Sequence, residues 1–157
     1  MIQEAQLTID LDSLAHNYNC LRSKLKEDTA LIAVVKANAY GTSSVRIAQE
    51  LAKLGTKHFA VAYTAEAVVL REATIKEDIM VFYPQIGQLD RIIEHQLEPV
   101  LYTLEIIKAF IVLLKQKNLK DYPVHIKCNT GLNRIGLSQE DLVFFLTKID
   151  ASSLNIK

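Results

Sequence analysis

The sequence predicts an α/β fold of the TIM (β/α)8 type, with the 157 residues supplying the amino-terminal part of the barrel, about five to six of its eight strand–helix units. Three observations predict it. Short runs of apolar, β-branched residues recur along the chain, segments of helical period lie between them, and one run follows another after roughly 20 to 30 residues, the length of one βα unit. Repeated units of that kind return the chain to the same direction each time, so the sheet is parallel. The alternative, a doubly wound open sheet, carries a Gly-rich turn after its first strand, and "KANAYGTSS" holds one glycine where that fingerprint has three.

The strand candidates, in order, are "LIAVV" (31–35), "HFAVA" (58–62), "DIMVF" (78–82), "EPVLY" (98–102), "PVHIK" (123–127) and "SLNIK" (153–157). Each is brief enough for a strand and too continuously apolar for one exposed on a face. Between them, Val45, Ala48, Leu51 and Ala52 mark one face of a helix closed by Gly55. Ala65, Val68 and Val69 follow Thr64 in the same way, and Ile106, Ala109, Phe110, Leu113 and Leu114 follow Thr103. Thr64, Thr103 and Ser138 stand where helix caps belong, and Ser138 with Asp141 reads as a capping box. The sixth run reaches Lys157 itself. An unpaired hydrophobic parallel edge is an aggregation hazard, so residues 1–157 read as one domain portion at the front of a larger protein.

Composition narrows the function classes. Half of the residues are hydrophobic (50%), enough for one sizeable core. Eighteen basic and 18 acidic side chains cancel with no long block of either sign, which argues against nucleic acid or an anionic membrane surface as partner and for a small molecule. Cys20 and Cys128 lie far apart and outside metal-ligand spacing, as in a protein of a reducing compartment. The start, "MIQEAQLTIDLDSL", has no basic segment leading into an apolar one, and no run approaches the length of a membrane span, so a cytoplasmic protein is expected.

Lys36 closes the first strand, and in both βα architectures ligands bind at the carboxyl ends of the strands. A lone lysine there reads as a side chain snorkelling to solvent. A second segment changes that reading: "VHIKCNTGLNRIGLS" (124–138) again ends an apolar strand on a lysine, Lys127, then turns at Gly131 and presents Arg134 before a capped helix. Two lysines and an arginine on one rim make a cationic pocket suited to an anionic small molecule. His58, His95 and His125 stand singly, so no metal site is expected, and Glu66 and Glu105 sit in first helical turns, where a carboxylate serves the dipole and the cap.

The segment "AVVKANAYG" closely resembles the pyridoxal-phosphate lysine motif of the alanine racemase family, and "HIKCNTGLNRIG" resembles that family's second signature. "TIDLDSLAHNYNCLR" and "FAVAYTAEAVVLRE" match in the right order, so the resemblance runs along essentially the whole chain. It implies an isomerase acting on alanine with pyridoxal 5'-phosphate as cofactor, built as a barrel followed by a β-rich domain absent from these residues, working as a homodimer and making D-alanine for peptidoglycan of the cell wall.

The resemblance also implies roles. Lys36 would form the Schiff base with the cofactor and move the α-proton on one face of the substrate; Tyr40 would hydrogen-bond the cofactor phosphate. Arg134 would lie near the substrate carboxylate and a cofactor ring oxygen, oriented by Lys127, which corresponds to a lysine often carbamylated in the family. Phe82 falls where the family places an apolar residue near the cofactor. The opposite base is a tyrosine of the partner subunit's later domain, so these residues alone are expected to be inactive. Three positions depart from the pattern: Thr42-Ser43 for His-Gly, Asn129 for aspartate and Leu132 for methionine. Three alternatives stay open: the racemase part of a bifunctional cell-wall ligase and racemase, a racemase for another amino acid or with broad specificity, and a non-catalytic remnant that binds the cofactor.

Overall fold

In the computed structural model the described residues are 5–157; Met1–Glu4, the first part of the stretch read as carrying no leader, lie outside them. The six apolar runs form strands, five of them shorter than the run by a residue or two and β5 equal in length but set one residue earlier: β1 (Ile32–Val34), β2 (His58–Val61), β3 (Asp78–Val81), β4 (Glu98–Leu101), β5 (Tyr122–Ile126) and β6 (Leu154–Ile156). Every pairing is parallel and the spatial order is β1-β2-β3-β4-β5-β6. That order decides between the two architectures, because a doubly wound sheet reverses direction at a switch point and a barrel does not. The sheet is an arc of a barrel, and among the described residues β1 and β6 each pair on one side only.

Helices cover the outer face: α1 (Leu11–Arg22), α3 (Ser44–Lys53), α4 (Thr64–Glu72), α5 (Leu89–Glu94), α6 (Leu104–Gln116) and α7 (Gln139–Lys148), with a 3₁₀ turn at Ile86–Gln88. The segment α2 (Lys36–Gly41) is a short turn of the opposite hand. The core lies between sheet and helices. Phe59 and Ile79 from the strands meet Leu70, Ile92, Ile106, Ile107, Phe110 and Leu114 from the helices, all inaccessible or nearly so. In α6 the 3.6-residue period puts Ile106, Ile107, Phe110, Ile111 and Leu114 inward and leaves Val112 outside.

Caps follow the sequence with one correction. Thr103 accepts from the Ile106 N–H at 3.3 Å, and Ser138 and Asp141 form their reciprocal box. Ser43, from the departing Thr-Ser pair, caps α3. Thr64, expected as a cap, is instead the first residue of α4, and its buried hydroxyl has no hydrogen-bond partner among the described residues. The cap position belongs to Tyr63, and the Glu66 carboxylate takes over by accepting from the Tyr63 N–H at 3.1 Å. Helices α1 and α5 went unread: α1 carries mixed polar residues and is started by Asp10, whose carboxylate accepts from Asp12 and Ser13 N–H.

The amino-terminal end of the barrel is held by side chains. Arg71 reaches from α4 to four carbonyls, Ile75, Glu77, His95 and Gln96, at 2.7 to 2.9 Å. Tyr122 offers its hydroxyl to Ile92 and Leu97 carbonyls, both at 3.0 Å. His58 pairs with Asp78 and His125 with Glu98, so these two histidines are not the isolated groups their spacing suggested. Among the described residues no helix is long and apolar enough to cross a membrane.

Candidate functional site

Lys36, Tyr40, Tyr63, Phe82, Tyr83, Tyr102, Lys127 and Arg134 all follow the carboxyl ends of strands, and so share the rim on which βα folds build their sites. Lys36 lies one step further than expected. The strand ends at Val34, Val35 still donates to the Ala60 carbonyl at 2.9 Å, and Lys36 opens the turn that follows.

That turn is left-handed. Ala37, Asn38, Ala39 and Tyr40 hold φ between 50° and 57°, one after another, with no glycine among them. Each L-residue in that region costs roughly 1–2 kcal/mol, and of the four only asparagine visits it readily. Polar contacts hold the turn from outside. The Glu66 carboxylate accepts from the Ala37 N–H at 2.6 Å, the Asn38 side chain accepts from the Ser44 N–H at 2.9 Å, and the Thr42 hydroxyl donates to the Ala39 carbonyl at 2.7 Å. The ordinary right-handed continuation would carry Tyr40 on around a helix. Here the tight reversed turn brings the Tyr40 ring under the Lys36 ammonium, with Nζ 5.9 Å from the ring centroid.

Lys127 and Arg134 share the loop after β5. The Lys127 backbone N–H donates to the Leu101 carbonyl at 2.9 Å and its carbonyl accepts from Leu137 N–H at 2.8 Å, while Asn129 N–H returns to the Leu137 carbonyl. The pinched loop needs Gly136: its φ is +126°, and a Cβ there would stand 2.7 Å from the Asn129 nitrogen. The Asn129 carboxamide accepts from Gly131 and Asn133 N–H and donates to the Asn133 side chain at 2.8 Å. An aspartate would keep that last contact only with the Asn133 amide turned round to donate, so the direction of this bond is set by the asparagine at 129. Lys127 and Arg134 are exposed, and among the described residues no ion pair engages Lys36, Lys127 or Arg134. The structure brings Lys36 to Tyr40, and Lys127 and Arg134 into one loop; among the described residues no hydrogen bond or ion pair joins the two groups.

Two features escaped the sequence reading. One is a tier of tyrosines: Tyr63 meets Tyr83 edge-on at 5.8 Å, and Tyr83 stacks on Tyr102 at 4.8 Å. Burial, then the neighbouring Tyr83, pushes the Tyr102 phenol up to about 12. The signal available was a tyrosine one or two residues past three successive strands. The other is Glu66, read only as a first-turn carboxylate. A cavity of about 220 Å³ among His58, Asp78, Glu98 and His125 opens at the opposite, amino-terminal end, away from this rim.

Capture of an aldehyde cofactor asks for an amine without an acid partner and partly out of water. Lys36 is half-buried and faces a ring. An anionic phosphate or carboxylate asks for uncommitted donors. The Tyr40 hydroxyl and Arg134 guanidinium are exposed, and neither donates to protein among the described residues. These residues fit pyridoxal phosphate.

The sequence family described as "Alanine racemase, N-terminal domain" matches residues 9–157. Among curated relatives, the alanine racemase of Geobacter sp. (strain M21) is 35% identical over 145 residues, 90% of this chain and 38% of that protein. Alanine racemase 1 of Caldanaerobacter subterraneus subsp. tengcongensis is 34% identical over 145 residues, 90% of this chain and 36% of its own length. The chain thus spans under two-fifths of these relatives. Among solved structures, Clostridium difficile 630 alanine racemase superposes with a TM-score of 0.84 at 28% identity, covering 97% of this chain and 42% of that one. The Bartonella henselae alanine racemase, described with covalently bound pyridoxal phosphate, gives 0.82 at 29% identity over 89% of this chain and 41% of its own. By the match along nearly its whole length, this chain belongs to the alanine racemase N-terminal domain family.

Proposed function

We propose that residues 1–157 are the front part of the cofactor-binding barrel of a pyridoxal-phosphate-dependent alanine racemase, with Lys36 as the cofactor lysine. The observation that carries the reading is Lys36 itself, a half-buried ammonium with no acid partner among the described residues, standing at the carboxyl rim on a strained turn. Pyridoxal phosphate, when bound, supplies the electron sink for the carbanion left when an α-proton departs. Lys36 attaches it and exchanges the proton at Nζ on one face. Tyr40 donates its hydroxyl to the phosphate. Arg134 orients the substrate carboxylate, and carbamylation of Lys127 converts a cation beside it into an anion that holds the guanidinium in place. The product, D-alanine, serves peptidoglycan synthesis in the cytoplasm, and the complete enzyme is a homodimer that places its second base opposite Lys36.

The test is covalent capture. The purified chain is mixed with pyridoxal phosphate, reduced with borohydride and mapped by mass spectrometry, with Lys36→Ala as control. Label concentrated on Lys36 supports the assignment; label spread evenly over exposed lysines overturns it. Racemisation of L-alanine by the 157-residue chain alone is expected to be undetectable, since one face lacks its base. Measured turnover would sink the two-base account.

A further inference from the structure

We infer that Glu66 is a positioning residue: its carboxylate latches the left-handed turn that carries Lys36 and Tyr40, and so sets where the Lys36 amine stands. The inference rests on the reading of Lys36 as the cofactor lysine and adds a residue to it.

A helix cap explains only half of what this side chain does. Oε2 accepts from Ala62 N–H at 2.7 Å and Tyr63 N–H at 3.1 Å, the ordinary work of a carboxylate at the third position of a helix. Oε1 accepts from the Ala37 N–H at 2.6 Å, 29 residues away and on the neighbouring strand's exit. The molecule contains its own comparison. Helix α7 closes the same kind of box with Asp141, one methylene shorter, whose Oδ2 accepts from the Ser138 N–H. Aspartate is enough to cap; the longer side chain of Glu66 is what spans from α4 to the turn after β1.

The turn has need of it. Four consecutive L-residues at φ near 50° hold an unfavourable conformation that the rest of the structure must impose. The Ala37 N–H belongs to the peptide unit joined to Lys36, so anchoring it sets the plane of that peptide and the direction in which the Lys36 side chain leaves the backbone. Within the turn the Ala39 N–H closes on the Val35 carbonyl at 3.0 Å and the Asn38 side chain is tied to Ser44; the Glu66 bond is the anchor that reaches the lysine end from another strand–helix unit.

The experiment compares Glu66→Asp, Glu66→Gln and, as a control for loss of a first-turn charge elsewhere, Glu105→Gln, all in the full chain. Two quantities are read: hydrogen exchange of the Ala37 amide by NMR without cofactor, and borohydride-fixed label on Lys36 with pyridoxal phosphate. Glu66→Asp keeps a capping carboxylate and so leaves α4 amides protected. It is expected to speed Ala37 exchange by about tenfold or more, the factor carried by one charge-assisted hydrogen bond, and to lower Lys36 labelling relative to other lysines by about as much. Glu66→Gln behaves likewise; Glu105→Gln changes neither. Relief of strain supplies a second arm, because Ala37→Gly makes the left-handed conformation easy. If Glu66 works by imposing the turn, Ala37→Gly shrinks the effect of Glu66→Asp on labelling. Unchanged Ala37 exchange and labelling in Glu66→Asp, or an equal effect with and without Ala37→Gly, overturns the latch. A wild-type chain that takes no label on Lys36 overturns the cofactor reading instead, and Ala37 exchange then still decides whether Glu66 holds the turn.

Discussion

At the scale of single residues, Gly136 carries more than its size suggests. It closes the loop that presents Lys127 and Arg134, at a backbone conformation that favours glycine and with no room for a methyl group against the Asn129 nitrogen and Cys128 carbonyl carbon. Gly136→Ala is expected to cost about 1–3 kcal/mol from strain at that position. In a chain of this size that lowers the thermal midpoint by about 2–4 °C for each kcal/mol. Because the neighbouring wall is backbone, the loop must shift as well, so protease sensitivity within 128–137 should rise along with the fall in midpoint; a variant that matches the wild type in both would show that the loop tolerates a side chain here. Tyr122 makes a second residue-scale case. Burial, then the Glu98 charge, pushes its phenol from the ordinary 10.0 up to about 12. A raised acid favours the neutral form in the folded state, so this stabilisation is complete below pH 10 and is lost as pH rises toward 12. Absorbance titration should therefore show late phenol ionisation toward pH 12, and Tyr122→Phe should remove one such late step. Lys36, Lys127 and Arg134 stood out because each ends or follows a strand whose pattern is plain, whereas Tyr40 came only with the family resemblance. Glu66 was not, because its partner Ala37 is distant in sequence and the bond depends on a turn whose handedness no periodicity announces.

At the scale of elements, the strands were legible to within a residue or two because a strand of a covered parallel sheet is apolar on both faces, and that run is hard to mistake. Helices with a clean apolar stripe, such as α3 and α6, were equally plain. Helices α1 and α5 were missed for opposite reasons: α1 buries Tyr18 alone, and α5 is a six-residue piece after a 3₁₀ turn. The link between elements that no local pattern reveals is Arg71. Its guanidinium joins the α4–β3 connection to the α5–β4 connection through four carbonyls, with no carboxylate among its hydrogen-bond partners. Burial lowers its pKa, and nearby Asp78 and Glu77 oppose that shift. Arg71→Met leaves those carbonyls with water on one side only and is expected to destabilise by about 2–3 kcal/mol. Arg71→Lys keeps the charge and loses the planar fork, so it should recover little of the loss. Urea unfolding of the three proteins checks this. Recovery to near wild-type midpoint by lysine would mean that charge, and not the fork, is what the two connections require.

At the scale of the whole molecule, the sequential strand order is the property from which the site follows. It turns one face of every strand toward a common interior and every carboxyl end toward one rim, so Lys36 after β1 and Arg134 after β5 face the same side although nearly a hundred residues separate them. Among the described residues the same order leaves two edges. Ile32 and Val34 on β1 are 45% and 37% exposed, and Ile156 on β6 is 49% exposed. Edge strands that present apolar side chains and unpaired backbone groups invite pairing between copies unless charge keeps them apart. Here charge does not: 18 basic and 18 acidic residues leave the chain with no net charge at pH 7 and a pI near 6.9. Residues 1–157 taken alone are therefore expected to self-associate most strongly close to pH 7 at low ionic strength, and less at pH 9, where net negative charge adds mutual repulsion. Sedimentation velocity over a concentration series at the two pH values checks this. Ile32→Lys, which places a charge on β1 where the side chain also lines the cavity of His58 and Asp78, should suppress association at pH 7. Association that is equal at both pH values and untouched by Ile32→Lys would place the contact on the helical face of the barrel and away from its edges.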